Sequence, residues 1–104
     1  MAAPRDDKAG VKQTWQALHD AGYDVGVQDG AGEEFYGLSK DRAVAEVMSC
    51  DEGFFVAMPK GETDQSKRDG WVYFVFGNSP EEVINDYTTN LDHVIEPLSK
   101  RWGW

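Results

Sequence analysis

Carboxylates are the side chains this sequence offers in greatest number for chemistry, and their spacing limits what they could do. Asp24, Asp29, Glu33 and Glu34 gather around one turn, with Gly26, Gly30 and Gly32 between them. Such oxygens suit calcium, but the spacing departs from the loop that an EF-hand uses. Paired carboxylates work as acid and base only where a cleft separates their pKa values, and a small hairpin supplies none. The expectation is therefore a solvated acidic turn or an interaction surface. The three glycines fail the dinucleotide fingerprint, and the chain has no phosphate loop with Gly-Lys-Ser or Gly-Lys-Thr.

The other chemical groups are few. His19 and His93 are the two histidines, and neither stands in a His-x-x-x-His or His-Glu-x-x-His arrangement. A zinc site would need them to meet a carboxylate through the fold alone, so no metal and no cofactor are expected. Cys50 is the single cysteine, which rules out an internal disulfide and a cysteine-built zinc site. A reactive thiolate needs positive surroundings, and Asp51 and Glu52 follow directly. Cys50 reads as structural. No poised nucleophile or metal set emerges, and no catalytic residue is expected.

Nineteen acidic residues against ten basic ones leave a net charge of −9. Residues 20–59 carry most of it, with nine acids against Lys40 and Arg42. A surface of this sign repels phosphate backbones, which argues against direct nucleic-acid binding. It steers instead towards basic partners, although charge of this size also serves solubility alone. No run approaches the roughly 20 apolar residues of a membrane span, and the first residues are not a secretory signal. A cytoplasmic protein is expected.

The positioning elements can be read from periodicity. At 104 residues one domain with one core is expected, residues 1–7 being a loose tail. Val11, Trp15 and Leu18 form the stripe of a first helix from Asp6 or Asp7 to Ala21, stopped by Gly22. Residues 23–28 alternate as a strand, Asp29–Gly32 turns, and residues 33–38 return. Ser39 caps a second helix over Lys40–Ser49, with Ala43, Val44, Val47 and Met48 inward. Phe54–Met58 is a third strand. A polar loop over residues 60–70 reads as mobile.

Trp71–Phe76 is the fourth strand, apolar on both faces. Ser79, Pro80 and Glu82 then spell a helix start, and Val83, Ile84 and Tyr87 suggest a third helix to Thr88. Pro97 would disrupt a helix through residues 90–96, so a short last helix begins there, with Lys100 and Arg101 in its final turn. The fold class is α+β: a four-stranded antiparallel sheet with three main helices, in the order α-β-β-α-β-β-α, and a short C-terminal helix. Helices on both sides would bury both aromatic faces of the central strands. Helices on one side would leave an aromatic face for a partner. Core packing is the default, and Trp102 and Trp104 near the C-terminus suggest docking.

The run Gly70–Thr88, with Gly-Trp-Val-Tyr-Phe-Val-Phe-Gly-Asn and then Pro-Glu-Glu-Val-Ile-Asn-Asp-Tyr-Thr, resembles a segment of small acidic proteins encoded by bacterial phages and prophages. The likeness covers about a fifth of the chain and carries over no catalytic residue. It implies a setting in which small acidic proteins inhibit host defence enzymes, anti-CRISPR proteins among them.

The expected function is a non-enzymatic, acidic protein-binding module that blocks a basic groove, such as one on a nucleic-acid-binding defence complex. Its partner-binding residues would be Asp24, Asp29, Glu33, Glu34, Tyr36, Asp51, Glu52, Glu81, Glu82 and Asp86. The alternative is a small homodimer with a structural or regulatory task, joined through an aromatic sheet face.

Overall fold

Gly22 ends the first helix by the means its sequence suggests. The computed structural model describes residues 7–76 and 83–102. In it α1 (Asp7–Asp20) closes with Gly22 at φ +99°, where a side chain would be strained. The Gly22 amide donates to the His19 carbonyl and the Tyr23 amide to that of Leu18, the paired bonds of a Schellman stop. Val11 and Leu18 are fully buried, as the stripe requires. Thr14 is buried too, its hydroxyl satisfied by the Gly10 carbonyl at 2.9 Å.

β1 (Asp24–Asp29) turns through residues 30–33 into β2, which is only Glu34–Phe35. Asp29 builds that turn, its Oδ1 accepting from the amides of Ala31 and Glu33 at 3.0 and 2.9 Å. α2 (Lys40–Val47) is capped by Ser39 and buries Ala43, Val44 and Val47. β3 (Glu52–Met58) and β4 (Gly70–Val75) complete the centre of the sheet. The loop between them, read as mobile, carries its own bonds. Asp64 caps a 3-10 turn at Gln65–Lys67, and the Gly61 amide donates to Asp24 at 2.8 Å.

The third helix expected over Pro80–Thr88 is corrected by the structure. Ile84–Tyr87 is a fifth strand, β5, antiparallel to β4 with Val72 opposite Tyr87 and Phe74 opposite Ile84. The sequence signal was ambiguous for a physical reason. Ile84 and Tyr87 are three residues apart, a helical spacing, and a register shift at Tyr73/Phe74 lets the same spacing serve a bulged strand. Without β5 the outer groups of β4 would lack partners. The Thr88 amide instead reaches the Trp71 carbonyl, and the Val75 amide reaches that of Val83. The cap signals Ser79, Pro80 and Glu82 lie outside the described residues.

The last helix is also longer than expected. α3 runs Asp92–Trp102 and passes through Pro97, five residues beyond its start. Pro97 is exposed, so its ring faces water and one early helical bond is all that is missing. Leu91 and Ile95 anchor this end of the chain in the core, and Lys100 and Arg101 occupy the last turn as expected. The order is thus α-β-β-α-β-β-β-α, with one five-stranded antiparallel sheet ordered β2-β1-β3-β4-β5.

All three helices lie on one side of that sheet. Their core takes Val25, Val27, Phe55, Ala57, Val72, Phe74 and Ile84 from the strands, while Val56 and Met58 are buried outside it. Tyr87 links sheet to helix by donating its hydroxyl to Asp92 at 2.6 Å. That bond, with burial second, pushes the Tyr87 pKa up from 10.0 to about 12. The sign follows from linkage: the folded state holds the proton more tightly, so its stabilisation is complete below about pH 10 and fades towards pH 12. Urea unfolding across that window should show a steeper loss of stability in the native chain than in Tyr87→Phe. Equal slopes would contradict the bond.

Candidate aromatic docking face

Strand alternation places every second residue of β1, β3 and β4 on the side away from the helices. The antiparallel register then aligns five of them in one row: Glu34, Gln28, Phe54, Tyr73 and Asp86, one from each strand. At about 4.8 Å per strand the row is roughly 19 Å long, with a carboxylate at each end and two rings in the middle. A second row holds Gly26, Val56 and Trp71.

The rings are arranged against each other. Phe54 and Tyr73 stack with centroids 4.7 Å apart, and Trp71 meets Phe54 edge-on at 5.7 Å. All three are half-buried. With Gln28, Val56 and Arg68 they line a groove of about 370 Å³. A second, more polar depression of about 290 Å³ shares Trp71 and Arg68 with the first. Trp71 and Arg68 thus line both hollows.

Glu52 completes the face. It lies opposite Val75 at the edge of the rings, and the Tyr73 hydroxyl donates to its carboxylate. This bond is the main reason the Tyr73 pKa is raised, with burial adding to it. The phenol therefore stays neutral at physiological pH and holds the Glu52 carboxylate in place.

The partner-binding residues expected from sequence divide into three groups. Asp24, Glu34, Tyr36, Glu52 and Asp86 are brought to the open face or its margin. Of these, Asp24 is engaged by the Gly61 amide, and Tyr36 is a packing residue. Its ring lies so close over Gly26 that a Cβ there would stand 2.9 Å from Tyr36 Cε1. Burial first and the Glu34 charge second raise the Tyr36 pKa. Asp29, Glu33 and Asp51 fall at strand ends, where Asp29 serves its own turn and the Asp51 carbonyl accepts from Phe76. Glu81, Glu82 and the final Trp104 lie outside the described residues.

Phe54, Trp71, Tyr73, Gln28 and Arg68 were not among the expected site residues. The alternation at 54, 56 and 58 and at 71, 73 and 75 was the available signal. It could not name the exposed face until residues 84–87 proved to be a strand and left no described helix to cover that side.

Among the described residues no group of three or more His, Cys, Asp or Glu could hold a metal ion. His19 stacks on Trp15 at 5.0 Å. Cys50 is half-buried, and its Cβ would crowd any side chain placed at Gly30. No described helix is long and apolar enough to cross a membrane. No known family model, curated protein or solved structure matches this chain.

Proposed function

We propose that this chain is a non-enzymatic binding module that docks its open sheet face onto a cationic protein surface. The observation that supports the reading is the cross-sheet row, in which stacked rings are bracketed by Glu34 and Asp86 and flanked by Glu52. Rings supply desolvated contact area, and carboxylates around them give orientation and reject acidic surfaces. A basic groove that normally holds nucleic acid fits such a face, with the carboxylates occupying phosphate positions. The segment 70–88, which resembles phage-encoded acidic proteins, extends the proposal to an inhibitor of a nucleic-acid-binding host defence complex.

The test is capture of the partner on immobilised protein from a bacterial host, then binding of that purified partner by calorimetry. Affinity should fall steeply as salt rises from about 50 to about 300 mM, and nucleic acid should compete. Reversing Glu34 and Asp86 to lysine should weaken binding about ten- to thirty-fold, while reversing Asp20 and Glu46 on the helical side should change it less than about three-fold. Equal effects of the two pairs would move the interface elsewhere. A homodimer through the same face would oppose carboxylates of like sign on two chains of charge −9. Sedimentation as a dimer at low concentration would favour that reading instead.

A further inference from the structure

We infer that the groove between Phe54, Trp71 and Tyr73 takes a single arginine side chain of the partner, with Glu52 as its counter-ion and Arg68 as a resident competitor. The inference rests on the docking reading above and names the group that the face would recognise.

Three features lead to a guanidinium. First, the hollow is walled by ring faces and edges, since Phe54 and Tyr73 stack nearly parallel at 27° while Trp71 stands at 88° to Phe54. A flat, weakly hydrated cation packs against ring surface of this kind, whereas a lysine ammonium is compact and strongly hydrated. Second, Glu52 is fixed beside the Tyr73 ring by the phenol, with its second oxygen unaccounted for by that bond. A carboxylate held this way offers geometry for the guanidinium fork. Third, Gln28 lines the same groove in line with Phe54 and adds a polar amide to its lining.

Arg68 is the feature that needs explanation, because it brings the one positive charge to the groove lining. Its place on the exposed loop before β4 lets it border both hollows around Trp71. A like charge there lowers affinity for an incoming arginine. The same Arg68 with the same rings would raise affinity for a nucleic-acid strand, which stacks bases on aromatic side chains and pairs phosphates with arginine. The carboxylates Glu34, Glu52 and Asp86 oppose that strand, and they decide for a cationic ligand.

The experiment uses the whole chain and three probes: a short capped peptide with three arginines spaced by glycine, its lysine counterpart, and a pyrimidine oligonucleotide. Calorimetry should show the arginine peptide bound about five-fold or more tightly than the lysine peptide, with no oligonucleotide binding. Trp71→Ala should erase the arginine preference. Arg68→Gln, on the exposed loop and remote from the core, should tighten arginine-peptide binding about two- to five-fold. Equal affinities for the two peptides would overturn the arginine site while leaving the cationic docking face standing. Weaker arginine-peptide binding in Arg68→Gln, or oligonucleotide binding by the native chain, would overturn it as well. Binding of neither peptide would remove both this inference and the broader reading.

Discussion

Phe74→Ala should lose a large share of the stability of the fold. Phe74 is fully buried, meets Phe55 edge-on at 5.2 Å, and stacks on Phe76 at 5.8 Å. It lies on the helix-facing side of β4, within the core shared by the helices and the sheet. Truncating a buried phenylalanine costs about 3–5 kcal/mol through lost transfer energy and the cavity left behind. A domain of this size has about 5–15 kcal/mol in total. Thermal and urea unfolding should therefore show a midpoint fall of about 15–30 °C and a loss of about 3–5 kcal/mol of the unfolding free energy. A loss under about 1 kcal/mol would mean that Phe74 does not sit in the core as described.

Trp71→Ala should do the reverse, leaving the fold in place and removing the proposed docking. Trp71 belongs to the neighbouring alternation on the same strand and is half-exposed, with Phe54 as its ring contact. Its truncation should cost the fold about 1–2 kcal/mol, because the ring is only partly buried and lies outside the helix-facing core. Because it lines two hollows, it is the ring a partner would bury most completely. Central aromatic anchors contribute about 2–4 kcal/mol on truncation, or about 30- to 1000-fold in affinity. Calorimetry with the captured partner, beside urea unfolding of the same sample, measures both effects. Binding reduced less than about three-fold would place the interface elsewhere. The contrast between residues 71 and 74 tests the two-sided sheet directly, since three positions along one strand change which face a side chain occupies.

Much of the scaffold was legible because it rests on local rules. The stripe Val11–Leu18, the Gly22 stop, the Ser39 cap and the Asp29 turn all depend on residues within a few positions of each other. Residues 84–87 were not legible in this way. Pro80 and Glu82 supply helix-start chemistry, but four residues of mixed polarity carry no decisive period, and the unpaired edge of β4 settled their state. Pro97 misled in the opposite direction. A proline near a helix start removes one bond, and burial of Leu91 and Ile95 outweighs that loss.

The site divides along the same line. Composition and charge were enough to indicate an acidic surface with aromatic strands, because net charge and alternation are properties of the chain itself. Which carboxylates belong together was decided by strand order, since Glu34 and Asp86 are 52 positions apart in sequence and meet one row only through three intervening strands. Which ring face is bare was decided by helix placement. The backbone alternation makes both faces of β3 and β4 apolar, and only the packing of α1, α2 and α3 onto a single side leaves Phe54, Trp71 and Tyr73 open.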